Sequence, residues 1–363
     1  MSINGQRIRE YLQRLDPRMF GLREMKAIAV RKIGLGQANL SYLAVIDGGK
    51  FIIRINMEPT SAGKSKKEYD SLKIVERLGI APRVFHFEPS KKVLGEEFII
   101  LEYLEGRSLD QYKGINDSIV RELGRVVARL HNADMKDVKG FLDATGSSKT
   151  DLLDKIGRKI HYIKAKRSIY FKKRGSFEHI IAASCRRLQG LNFDEKRCLV
   201  LGHGDIAPQN VILSQGKLKL IDWEDLGLID PALETAIIFD QFDFSDKQKE
   251  QFLNAYLEVR KDSELTKRIS IFWPFQLFGA FCWAIMHVYE IGEREMHEDF
   301  LIEQRLSTHI DYAEKMFNKC REQGIIDRNI EWNAYEIFPE EYLRNSQTSA
   351  RKCKSKNRKQ RRA

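Results

Sequence analysis

At 363 residues, with 42% hydrophobic and 31% charged side chains, the chain is long enough for two lobes with a sizeable buried core and has an ordinary globular composition. Its five cysteines are an odd, scattered set with no C-x-x-C pair, which suggests reduced thiols in a cytoplasmic setting. The net charge of +11 is concentrated at one end: residues 346–363 hold eight Lys/Arg and no acid, leaving the remainder only mildly basic.

The first residues lack an apolar signal core, and Ile8, Tyr11, Leu12 and Leu15 are spaced as one face of an amphipathic helix. From about Ala27 to Leu104 the chain favours strands: AIAVRKI, SYLAVID, FIIRIN and EEFIILEYL, with a GGK hairpin turn between the second and third. Gly34 and Gly36, followed by Asn39 and Ser41, lie between two of these strands. Glycines there let backbone amides approach a phosphate, although a plain tight turn explains them equally well. Arg54 lies in FIIRIN among apolar neighbours. The helical stretch SKKEYDSLKIVERL closes at Gly79 ahead of Pro82 and carries Glu68, Leu72 and Val75 on one face. An acid on an apolar stripe needs a partner, and Arg54 is the natural one; an exposed Glu at the edge of the stripe is the alternative.

Beyond Glu105 the pattern turns helical. RELGRVVARLH places Leu123, Val126, Val127 and Leu130 together, and His131 at its end reads as a satisfied structural histidine. Residues 155–174 carry nine Lys/Arg and no acid, yet Ile156, Ile160, Ile163 and Ile169 make a solvated helix with one buried stripe the slightly better reading over a phosphate-attracting surface. The apolar run Ile271 to Tyr289 has almost the length of a membrane span; Pro274, Gln276 and His287 interrupt it, so a buried helix is expected and no transmembrane segment. The basic tail is expected to be disordered, either a solubilising terminus or a weak contact for nucleic acid or an anionic surface.

The stretch HGDIAPQNVILSQGKLKLIDWEDLG carries the chemistry. Val211 to Leu213 and Leu218 to Ile221 are β-prone runs joined by Ser-Gln-Gly-Lys. As a hairpin they set Leu213 opposite Leu218 and Asn210 opposite Ile221, which brings Asn210 and Asp222 within roughly 5–7 Å at the open end. A carboxylate and an amide oxygen there suit one hard cation such as Mg2+. Asp205, five residues before Asn210 in a loop with Pro208, can reach the same space. The spacing matches the phosphoryl-transfer template in which a first Asp accepts the hydroxyl proton while an Asn and a second Asp hold the metal.

HGDIAPQNVIL and LIDWEDLGLIDPALETA resemble the aminoglycoside phosphotransferase and choline kinase family. The resemblance implies an α+β, bilobal protein-kinase-like fold over roughly residues 25–340: a small strand-rich N-lobe (1–104), a larger helical C-lobe (105–345) and the basic tail (346–363). It implies a cytoplasmic, ATP- and Mg2+-dependent kinase acting on a small-molecule hydroxyl. Asp205 is then the catalytic base and Asn210 and Asp222 the metal ligands. Gly34, Gly36, Asn39, Arg54 and Glu68 serve the nucleotide, with the backbone at Glu102 and Leu104 bonding the adenine. By the same resemblance His203 buttresses the catalytic loop, and Glu234 stands where many relatives have Asp. Acceptor candidates are Glu234, Asp240, Asp243 and Asp246 among the acids, and Trp273, Phe275, Trp283 and Tyr289 among the aromatics. The rival reading is a catalytically silent nucleotide binder that docks on RNA or an anionic membrane through its basic insert and tail.

Overall fold

The computed structural model describes residues 4–35, 39–57, 63–134, 148–171, 176–192, 199–293 and 299–343. In chain order its strands are β1 (Ile28–Leu35), β2 (Asn39–Ile46), β3 (Gly49–Asn56), β4 (Val84–Glu88), β5 (Phe98–Glu102), β6 (Gly106–Ser108), β7 (Val200–Gly202), β8 (Val211–Ser214), β9 (Lys217–Leu220) and β10 (Gly227–Ile229). The helices are α1 (Gly5–Leu12), α2 (Lys64–Val75), α3 (Asp117–His131), α4 (Lys149–Tyr170), α5 (Ser176–Gly190), α6 (Pro231–Gln241), α7 (Asp246–Val259), α8 (Leu265–Glu293) and α9 (Asp299–Glu322). The expected α+β class holds. The chain divides into two compact units, one of residues 1–144 and 199–262, the other of residues 145–198 and 263–363.

In the first unit an antiparallel sheet runs in the order β1-β2-β3-β5-β4. Alternation along β2 and β3 buries Leu40, Tyr42, Ala44, Ile46, Phe51, Ile53 and Ile55 against Phe98 and Ile100 of β5. The amphipathic N-terminal turns are present as α1, whose Ile8 and Leu12 close this core. Tyr11 on the same helix donates to Glu88 Oε2 at 2.5 Å, and its hydroxyl lies 2.7 Å from His86 Nε2, which ties α1 to β4. Sequence reasoning passed over β4: its core is the short run VFHFE, with His86 and Glu88 breaking the apolar pattern. The helix α2 is where the spacing predicts it, continued by a 3-10 turn that stops at Gly79.

The predicted hairpin forms with the predicted register. Leu213 pairs with Leu218, and Ile221 N–H donates to Asn210 O at 2.9 Å. Its turn residues Gln215 (φ 48°) and Gly216 (φ 75°) are both left-handed, the two-residue connection whose twist matches that of the flanking strands. Behind it α3 lies against α7, and a Cβ at Gly124 would stand 2.5 Å from Phe252 O, so the two backbones approach as closely as only glycine allows.

In the second unit α8 packs on α9 and α4. The helix α8 is long and apolar enough to cross a membrane, and half of its most apolar window is buried within the protein. Phe275, Phe278, Phe281 and Tyr289 are among its fully buried side chains. In α4 Leu152, Ile156, Ile160 and Ile163 are buried while Arg158 and Lys164 are exposed, so a buried stripe forms; Ile169, expected on it, is instead 69% exposed, and Arg167 is buried in that last turn. The last three basic residues of that insert, 172–174, and the tail 346–363 lie outside the described residues.

Candidate active site

Every described residue of the expected site belongs to the first unit. Arg54 points from β3 with its side chain 12% exposed, and it holds two acids: Glu68 Oε1 at 3.0 Å and Asp222 Oδ1 at 2.6 Å. Glu68 on α2 also accepts the Trp223 backbone N–H, so one buried carboxylate orients both the guanidinium and the chain just after Asp222. The stripe Glu68, Leu72 and Val75 is buried throughout, which leaves no exposed alternative for Glu68.

Asp222 sits at φ 71°, ψ 63°, a left-handed conformation that Asp and Asn tolerate better than other side-chain-bearing residues. The next residue, Trp223, is fully buried; its Nε1 donates to Leu220 O at 2.8 Å and its ring stands 4.5 Å from that of His203. These contacts fix the bend that turns Asp222 away from the β9 ladder. Asn210 is buried and donates Nδ2 to Asp205 Oδ2 at 2.8 Å and to Asp205 O at 3.0 Å. Its amide oxygen makes no hydrogen bond among the described residues and so remains as a donor to a cation.

His203 closes the loop. Asp205 N–H donates to its Nδ1 at 3.3 Å, so its Nε2 carries the proton and donates to Ile221 O at 3.0 Å. Burial pushes its pKa down, in keeping with a neutral ring. One imidazole thereby ties the Asp205 backbone to the residue preceding Asp222. Between His203 and Asp205, Gly204 lies at φ 84°, where a Cβ would stand 2.8 Å from Asp225 O. Gly204→Ala should therefore lower stability by at least the 1–2 kcal/mol of a left-handed alanine, read as a fall in the urea midpoint.

Four acids crowd this space: Asp205, Asp222, Glu224 and Asp225. Burial, then the charges of Asp222 and Asp225, push Asp205 up to about 6. Burial chiefly pushes Glu68 up to about 7, with Asp222 and Glu224 adding to it against the pull of Arg54. Glu224 is raised for the same reasons, although Lys64 lies 3.6 Å away. The surplus negative charge and the all-oxygen donors fit a divalent cation. Among the described residues no three His, Cys, Asp or Glu side chains gather as a metal cage, so phosphate and water oxygens would complete such an ion's shell.

The remaining expected residues are placed as follows. Gly34 pairs with Ser41 just after an irregularity in β1, and Asn39 opens β2 opposite Asn56; Gly36 lies outside the described residues. Glu102 ends β5 with its N–H on Arg83 O at 2.8 Å, and Leu104 is buried just beyond. Of the acceptor candidates, Glu234 and Asp240 are buried, Asp246 is exposed beside Lys249, and Phe275 and Tyr289 are core. The Trp283 ring lies 4.1 Å from that of His287, tilted by 31°. Sequence reasoning missed Lys64 and the joining of His131 to Glu234; the one signal for the latter was an acid inside the apolar run PALETAIIF.

A family model described as "Phosphotransferase enzyme family" matches residues 29–267, and the chain belongs to that family. Protein LicA of Haemophilus influenzae is 24% identical over 245 residues, a match that spans 66% of this chain and 65% of LicA. The choline kinase of Cryptosporidium parvum Iowa II superposes with a TM-score of 0.62 at 17% identity, covering 88% of this chain and 98% of that one. Spectinomycin phosphotransferase in complex with ADP and spectinomycin superposes at 0.61 and 13% identity, covering 87% and 95%. These likenesses give the protein-kinase-like fold.

Proposed function

We propose that this chain is a cytoplasmic, ATP-dependent phosphotransferase that moves the γ-phosphoryl group to a hydroxyl of a small molecule. The observation that carries the reading is the single connected network Glu68–Arg54–Asp222 and Asp205–Asn210, joined through His203 and Ile221.

Arg54, oriented by Glu68, would lay its guanidinium against the α- and β-phosphates. Asn210 holds one Asp205 oxygen, which leaves Oδ1 to accept the acceptor's proton. As that hydroxyl oxygen bonds to the γ-phosphorus, the bond from phosphorus to the β-bridging oxygen breaks and ADP leaves. Asn210 Oδ1 and the Asp222 carboxylate would hold Mg2+, which when bound neutralises charge on the β- and γ-phosphates. The backbone at Glu102 and Leu104 would meet the adenine, while Gly34 and Asn39 serve the turn over the phosphates. Catalysis of this kind is mostly placement and charge neutralisation.

The acceptor is best sought among amine-bearing alcohols. The relatives named above include a choline kinase and a spectinomycin phosphotransferase, and the acids around Asp205 favour a cation beside it. The test is ADP release over a panel of choline, ethanolamine, spectinomycin and uncharged polyols. Release with a panel member, dependent on Mg2+, supports the reading; salt-sensitive retention on RNA with no ADP release from any member would overturn it. The silent-docking alternative would rest on the exposed basic residues of α4, such as Arg158 and Lys164, and on the tail 346–363, which lies outside the described residues.

A further inference from the structure

The cations of α4 fall into two sets. Lys166 and Arg167 are engaged within the protein: Lys166 pairs with Glu293 of α8, and the buried Arg167 holds Glu178 of α5 at 3.1 Å and donates to the carbonyls of Glu336 and Ile337. Arg158 and Lys164 are exposed and make no ion pair or hydrogen bond among the described residues, and the same holds for Arg186 on the neighbouring α5. The acids of α4 stop at Asp154, in its second turn, and residues 155–171 have none. A helix that merely faces water usually sets acids one turn away from its cations. Along most of its length α4 does not.

The uncompensated residues share a surface. Arg158, His161, Ala165 and Ile169 follow at steps of three and four residues and are all exposed, so they form one stripe along α4. Ile169, at the end of that stripe, is the most exposed large hydrophobic side chain among the described residues. Lys164 flanks the stripe on the side of α5. Burial pushes the Cys185 thiol of α5 up, and the charges of Lys164 and Arg186 both pull against it, so one cation from each helix stands near the same thiol.

We propose that the face made by α4 and α5, with Arg158, Lys164, Arg186 and Ile169, docks on an anionic phospholipid bilayer. The three cations meet the charged headgroups, and the branched aliphatic chain of Ile169 enters the boundary with the acyl chains. A single-stranded nucleic acid binds instead on interleaved aromatic rings, and the exposed stripe of α4 offers only the ring of His161. This face belongs to the second unit, whereas the described residues of the candidate active site belong to the first. Docking is thus an added property of the chain, which neither requires turnover nor replaces it.

The test is co-sedimentation of the full-length protein with vesicles of phosphatidylcholine alone or with about one-third phosphatidylserine, at about 0.1 M salt. Binding to the charged vesicles alone is expected. Joint substitution Arg158→Gln, Lys164→Gln and Arg186→Gln should weaken it about 10²-fold, roughly fivefold for each cation near the surface. Ile169→Ser should weaken it several-fold. All four side chains are exposed, so the melting temperature should stay at the native value in both variants. The tail 346–363 is present throughout, so native-like binding by the triple variant would assign the attraction to the tail and overturn the proposal. Equal binding to uncharged vesicles would overturn it too, as would retention on RNA with none on charged vesicles. Unaltered binding by Ile169→Ser would remove the inserted anchor, and with it the choice of a bilayer over a soluble polyanion.

Discussion

Asp205→Asn should bind ADP as the native chain does and lose turnover by about 10²–10⁴-fold, the range expected when a positioned general base is removed. The exchange is nearly isosteric, and the loop it sits in is held mostly through backbone groups: His203 takes the Asp205 N–H, and Asn210 reaches both the Asp205 carbonyl and one side-chain oxygen. An amide oxygen still accepts from Asn210, so the fold survives while the proton acceptor does not. Isothermal titration with ADP and a coupled ADP-release assay separate the two effects, and a variant that transfers phosphate at the native rate would remove Asp205 from the mechanism. The native chain should also show an acid limb in kcat/KM. Asp205, pushed up to about 6, is progressively protonated as pH falls through that value, and only its ionised form takes a proton. The residual rate of Asp205→Asn should lack this limb.

Asp222→Asn should lower kcat/KM by about 10³-fold, or roughly 4 kcal/mol of transition-state stabilisation. Two losses combine at this side chain: the anionic oxygen proposed to hold the metal, and the ion pair with Arg54 at 2.6 Å. Asparagine is the informative substitute because it accepts the left-handed backbone at φ 71°, so the bend into Trp223 is kept and the melting temperature should move little. Asp222→Ala should lose the same activity and also stability, since alanine bears a left-handed penalty of about 1–2 kcal/mol. Thermal melts of the two variants beside their kcat/KM values distinguish the charge from the bend. Equal melts for Asn and Ala would show that the backbone conformation imposes no such demand.

Two pieces of the candidate site, the hairpin and the Arg54–Glu68 pair, were legible in the sequence because each is local, whereas the Arg54–Asp222 pair joins residues 168 apart. Hairpin register follows from alternation and turn length, so setting Leu213 against Leu218 also set Asn210 against Ile221. Arg54 and Glu68 could be paired because each was a charge on an otherwise apolar face. What remained hidden depends on partners far apart in number. Nothing near His131 announces a carboxylate 103 residues later, and Glu234 among apolar neighbours can be read as an acceptor ligand as readily as a buried anion. The strand β4 escaped because five residues with two polar members carry too little pattern. Along α8, apolar residues on every side hide which aromatics are core, so Phe275 and Tyr289 stood as candidates beside Trp283.

The first unit is assembled from two stretches of chain separated by residues 145–198. On the ribosome, the five-stranded sheet has all its members once residue 102 has emerged, and can close early. The helix α3, by contrast, emerges without the α7 backbone that Gly124 meets, and His131 waits for both Glu234 and Tyr256. A nascent chain halted before residue 231 would therefore carry the five-stranded sheet next to an unfinished loop around Asp205, with the apolar side of α3 bare and open to chaperones.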